Sequence, residues 1–320
     1  MGWTPAVIAA CCAASVRTPA SASAAAVASA RRLFSTRTIL APCVYTIHVR
    51  PAIRAAWILL AILAIAGVAL AQRGGGGFSG VRRPRADTFN GSFTFCRMAA
   101  NAARDGFGGS WGVDYPRADE NLSIRLSELT KTHVNMQPDG SPNFVVVEAT
   151  EPELFECPFL ALTNPGRVLI TEPEAVALRQ YFLKGGFMWS DDFWGSYGWD
   201  HWIGELRKIL PEKEYPLVTA LPIDHPMFRM QYVAKRIPQI PNIGFYSRSG
   251  GMTSEQGSDS ATPHAGAILD SKGRVLVLIT HNTDFGDAYE REGDDPAYFY
   301  QFSVEGYAIG IDVVLYTLTH

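Results

Sequence analysis

Two short runs constrain this chain more than anything else in it. Phe144 to Val147 and Val275 to Ile279 are apolar at every position. A strand with one wet face alternates apolar and polar residues. An unbroken apolar run of this length means that both faces are covered, as in a parallel sheet packed between two layers of helices. The segments between such runs read as helices. Thr171-Glu172-Pro173-Glu174 is a capping box, in which the Thr hydroxyl and the Glu three residues on serve the free N–H groups of a first turn. Val176, Leu178, Phe182 and Leu183 supply its apolar face, and Gly185-Gly186 ends it. Phe187 to Ser190 then forms a strand. Asp200 is expected to cap a helix from Trp202 to Leu210, stopped by Pro211. Asp119 is expected to cap another through Leu122, Leu126 and Leu129. Further strands are expected at Ser92–Met98, His133–Met136 and Leu217–Leu221, and an apolar helix from Val304 to Leu318 closes the chain. Gly250–Pro263 reads as a polar loop. Strands alternating with helices give an α/β fold, a mostly parallel sheet covered by helices on both faces, over residues 91–320.

The N-terminus is of another kind. Residues 1–71 hold six of the 28 basic residues and no acid, which leaves 22 basic against 31 acidic residues in the remainder. An acidic folded part excludes binding to nucleic acid through phosphates, which needs a basic face. Arg50 and Arg54 precede an uncharged run from Ala55 to Ala71 that ends in Ala69-Leu70-Ala71. This is the pattern of a secretory signal peptide over residues 49–71. A retained membrane anchor is the alternative, since seventeen uncharged residues reach the lower limit of a bilayer span. Residues 1–48 read as a leader upstream of a start at Val49, and residues 72–90 as a flexible linker. The protein is thus expected to be exported, periplasmic or extracellular, and to meet the membrane only through Ala55–Ala71. Cys96 and Cys157 remain after cleavage and could pair; without a C-x-x-C, a thiolate zinc site has no basis.

Ligands of open parallel sheets collect at the carboxyl ends of the strands. Asp191 and Asp192 follow one expected strand, Asp224 and His225 a second, and His281, Asn282 and Asp284 a third. Carboxylates and imidazoles on one rim could act as general acid and base or hold a cation. The competing reading is that each Asp caps the next helix and that Asp224-His225-Pro226 is a turn. Trp194, Tyr197 and Trp199 belong to an aromatic, glycine-interleaved segment whose rings could stack on a sugar or simply pack beneath the loop.

Gly185-Gly186-Phe187-Met188-Trp189-Ser190-Asp191-Asp192 resembles a bacterial family, the domain-of-unknown-function 4159 family. Phe93-Thr94-Phe95-Cys96-Arg97, Trp111-Gly112-Val113-Asp114-Tyr115-Pro116, Leu221 to Phe228 and Asn282-Thr283-Asp284-Phe285-Gly286 carry the same resemblance, in order, from Phe93 to His320. The family is similar to class I glutamine amidotransferase-like and trehalose-utilisation-like folds, which implies the flavodoxin-like sandwich and no particular activity. Trp111–Pro116 is expected to close over the rim. Amidotransferases place a Cys on a tight elbow after a central strand; here Ser190-Asp191-Asp192 stands there, so glutaminase chemistry is not expected. The resulting reading is an exported cell-envelope domain with a ligand-binding or assembly role, its partner a small molecule or glycan. The alternative is a carbohydrate- or cell-wall-directed hydrolase that uses Asp191, Asp192, His225 or His281 as acid, base or metal ligand. The sequence names no cofactor and no metal.

Overall fold

The computed structural model describes residues 80–102 and 111–320. The leader, the signal or anchor segment and the first part of the linker lie outside the described residues. Among the described residues no helix is long and apolar enough to cross a membrane.

Seven strands form one sheet: β1 (Phe95–Ala99), β2 (Phe144–Glu148), β3 (Phe159–Thr163), β4 (Phe187–Asp191), β5 (Leu217–Val218), β6 (His264–Leu269) and β7 (Val275–His281). Their spatial order is β2-β1-β3-β4-β7-β6-β5. The first five in that order run parallel, whereas β6 is antiparallel to β7 and β5 to β6. Among the described residues, the α-helices of six residues or more are α1 (Arg117–Leu129), α2 (Glu172–Leu183), α3 (Gly195–Ile209), α4 (Ile243–Arg248), α5 (Phe285–Glu290) and α6 (Val304–Thr319). One face of the sheet packs on α1, α5 and α6, the other on α2 and α3. The fold is therefore an α/β flavodoxin-like three-layer sandwich. Both core runs are wholly buried, as their composition requires. Alternation along β4 sends Phe187, Trp189 and Asp191 to the α1/α5/α6 face and Met188 and Ser190 to the other.

Several local expectations are corrected. The capping box at Thr171 forms. Asp119, by contrast, caps nothing: it lies inside α1, fully buried, bound to the guanidinium of Arg97. Asp200 lies within α3, which starts at Gly195. The expected strand Leu217–Leu221 shrinks to Leu217–Val218, an edge position that tolerates the neighbouring prolines. Residues His133–Met136 make only isolated bridges, through Val134 and Met136. The end of the expected linker lies against the domain, with Arg82 accepting from Val146 N through its carbonyl and Arg83 paired to Glu148. Cys96 on β1 and Cys157, just before β3, form a disulfide across 6.0 Å between Cα atoms.

Candidate functional site

Three neighbouring central strands end in the same way. Asn164 after β3, Asp192 after β4 and Asn282 after β7 each adopt a left-handed backbone, with φ of 55°, 59° and 59°. Asn and Asp tolerate this conformation better than other side chains. It turns the chain sharply off the sheet and places the following residues over its carboxyl edge. Asp114, in the loop before α1, shares the conformation at φ 61°. That loop is tied down from below. Arg97, on β1 and 2% exposed, donates to the carbonyls of Trp111 and Val113 at 3.0 and 3.1 Å while bonded to Asp119.

The result is a concentration of carboxylates. Asp114, Asp192 and Asp284 bring carboxylate oxygens within 4.8 Å of one another, and so do Asp114, Asp287 and Glu290, so that Asp114 belongs to both groups. Burial, then the surrounding acids, pushes Asp114, Asp192 and Asp284 well above the ordinary carboxylate range. Burial also raises Asp191, to about 7, against four hydrogen bonds that favour its charge. Asp287 faces Asp114, yet two carboxylates bond only if one keeps its proton. With both ionised, the buried Oδ2 of Asp114 has no donor. Like charges held this close are tolerated by keeping protons or by taking up a cation. Oxygen-only donors suit hard divalent ions such as Mg²⁺, Mn²⁺ or Ca²⁺.

Each carboxylate has a distinct position. Asp191 is engaged: Oδ1 accepts from Thr280, and Oδ2 from Phe285 N at 2.6 Å and Gly286 N at 3.3 Å. It thereby pins the first turn of α5 to β4. Asp284 caps that helix, accepting from Asp287 N at 2.8 Å. Asp287 accepts from Ile243 N at 2.7 Å. Asp192 accepts no hydrogen bond from any described residue. Capping therefore accounts for Asp191 and half of Asp284, and leaves Asp192 and Asp114 unexplained as structural groups.

The other expected site residues scatter. His281 points to the opposite face from Thr280, donates from Nε2 to Gly195 O at 2.9 Å, and packs on Phe193 and Trp199. Burial holds it neutral, down at about 4. Asn282 closes the rim, accepting from Gly195 N and donating to Thr262 O. Asp224 is exposed, and His225 packs on Tyr316, which reaches the backbone of Val275 at the amino end of β7. Asp224 and His225 thus fall away from the rim and correct the expectation of three converging groups; the turn reading accounts for them, His225 Nδ1 accepting from Met227 N. Trp194 is buried, Tyr197 is 70% exposed on α3, and Trp199 is half-buried. Asp114, Asp287 and Glu290 were not among the candidates. Asp114 was legible only as part of Trp111–Pro116, and the α5 acids share one helical face with nothing in the sequence to aim it.

The sequence matches, over residues 95–318, a protein family described as Domain of unknown function (DUF4159). The chain belongs to this family. No curated protein matches it. The matched region of this DUF4159 member runs from β1 nearly to the end of α6, so every carboxylate of the rim falls within the family domain.

Proposed function

We propose that this domain binds a divalent cation at the carboxyl edge of its sheet, through Asp114, Asp192 and Asp284, and uses it to capture an oxygen-rich ligand. The observation that carries this reading is the packing of those three carboxylates within 4.8 Å, one of them with a buried oxygen that no donor meets. A cation held there would supply Lewis acidity toward phosphate, carboxylate or hydroxyl oxygens of a ligand. This chain's own residues hold the geometry. Arg97 fixes the loop of Asp114, Asp191 fixes α5, and the left-handed turn at Asp192 lifts its carboxylate off β4. An amidotransferase-like ancestry would put Ser190-Asp191-Asp192, with its left-handed turn at Asp192, where those enzymes carry their nucleophilic Cys. With an acid there, glutaminase chemistry has no nucleophile, and metal-assisted binding or hydrolysis is the chemistry the rim can supply. Export fits the Cys96–Cys157 disulfide, a bond favoured outside the reducing cytosol.

Calorimetric titration of the metal-stripped protein with Mg²⁺, Mn²⁺ and Ca²⁺ tests the reading. One of them should bind with 1:1 or 2:1 stoichiometry, and Asp192→Asn should weaken it by about 10-fold or more. Absence of binding for all three ions would remove it.

A further inference from the structure

Beyond the carboxylates, and on the other face of β7, lies a second pocket of about 380 Å³. Its floor is made by a cross-strand pair. His264 on β6 sits directly opposite His281 on β7, with ring centroids 5.0 Å apart. Trp199 of α3 packs on both rings, at 4.8 and 5.1 Å. It reaches them because β6 has no side chain at Gly266, where a Cβ would stand 2.8 Å from the indole. The sheet is thus cut away to seat one tryptophan beside two imidazoles.

The polar lining combines the carboxylates of Asp200 and Asp259 and two imidazoles with the hydroxyls of Ser196, Thr219, Ser258 and Thr262. His281, 4% exposed, spends its Nε2–H on Gly195 O, so its Nδ1 carries a lone pair, and that buried atom has no partner. Unmet buried acceptors are rare and call for a donor. Asp200 and Asp259 stand exposed at the mouth, and no Lys or Arg lines the pocket among the described residues. A ligand here must bring donors for the two carboxylates and can accept from the hydroxyls, which suits groups that do both. The charges lie at the wet rim while the floor is neutral and aromatic, since burial lowers the basicity of both imidazoles. An ammonium group would need the carboxylates below it, where water is excluded. A ring of hydroxyls with an apolar face needs the arrangement present.

We propose that this pocket binds a single saccharide ring, its apolar face on Trp199 and its hydroxyls donating to the exposed carboxylates of Asp200 and Asp259. The volume lies in the range of small-ligand sites, and an aromatic platform with a few placed polar groups is their usual construction. The site is independent of the cation centre, from which β7 separates it.

Glucose, N-acetylglucosamine and its β-linked dimer are the probes, titrated into the intact protein with tryptophan fluorescence and calorimetry as readouts. At least one should bind and shift the emission. Trp199→Ala should weaken it by about 10-fold, an aromatic contact of roughly 1.4 kcal/mol. Gly266→Ala tests the same contact from beneath, displacing the indole while leaving every polar group in place, and should also weaken binding. Asp200→Asn, a change at an exposed position, keeps the fold and should weaken binding too. Asp192→Asn should leave saccharide affinity unchanged, which separates this site from the cation reading. No binding by any of the three sugars, binding of spermidine in their place, or full affinity in both Trp199→Ala and Gly266→Ala would each overturn the proposal.

Discussion

The carboxylate of Asp114 lies directly against the backbone of Gly286, so closely that a Cβ at Gly286 would collide with Oδ2. Neither residue is explained without the other. Gly286 is the second residue of α5, a position that any good helix former could fill. The glycine is needed because a carboxylate, itself in a left-handed turn, comes in over it. Gly286→Ala should push Asp114 out of both acidic groups. Its expected effect is a loss of cation affinity of about 10- to 100-fold, the usual result when the support of a ligand fails, with far-UV circular dichroism unchanged. Calorimetry on the metal-stripped variant checks it.

Asp191 and Asp192 are adjacent, and their substitutions should have opposite effects. Asp191 accepts from Thr280 and from two backbone amides of α5. Asp191→Ala leaves those buried donors unmet and should cost about 3 kcal/mol. Asp192 takes no such bond, and sits among acids that push it upward. Asp192→Asn removes like-charge repulsion, so without cation the variant should melt at or above the parent temperature while losing the response to added metal. A thermal-melt series on both variants, with and without Mn²⁺, reads the two effects together.

The pH dependence of stability follows from the same groups. Asp191 stands at about 7 when folded, against roughly 3.9 when unfolded. Between those values the folded state holds a proton that the unfolded state has lost, so stability falls as pH rises through the window. Asp114, Asp192 and Asp284 are shifted the same way. His281 opposes them. Its folded value of about 4 lies below roughly 6.5 for the unfolded chain, so its contribution is lost as pH falls from 6.5 toward 4. The two effects compete below pH 6.5, and above it only the carboxylates act. With a chelator present, the melting temperature should therefore decline between about pH 6.5 and 8. An excess of the bound cation should reduce that decline, because it takes the place of the protons retained by Asp114, Asp192 and Asp284 while leaving that of Asp191.

What could be read from the sequence was what both faces of an element demanded. The unbroken runs at 144–147 and 275–279 read as strands covered on both faces, and both are, although β2 lies at an edge of the sheet and β7 within it; the Thr171 box marked the start of α2. β6 escaped notice because Ala265, Gly266 and Ala267 are small; Gly266 is small because Trp199 lies over it. β3 is five residues long, too short to be told from a turn of helix by its apolar content alone. Asp191 and Asp192 were placed on the rim by the strand before them. Asp114 could not be, because it reaches the rim from a loop, held there by the bonds from Arg97 to Trp111 O and Val113 O. Asp119 was misjudged for the same reason: a carboxylate near a helix start looks like a cap until its buried partner is known.

That partner gives the last prediction. Arg97 and Asp119 form a fully buried ion pair, and burial still raises Asp119 above its ordinary range despite the guanidinium beside it. Asp119→Ala leaves a buried cation unpaired and should cost about 3 to 5 kcal/mol. The double replacement Arg97→Met with Asp119→Leu removes both charges, and stability should largely return. Cation binding should not return with it. Arg97 also holds the carbonyls of Trp111 and Val113, and through them the loop that carries Asp114. A double variant that melts near the parent temperature yet binds cation at least about 10-fold more weakly would identify Arg97 as a positioning residue. Equal affinity in parent and double variant would reduce the pair to a matter of stability alone.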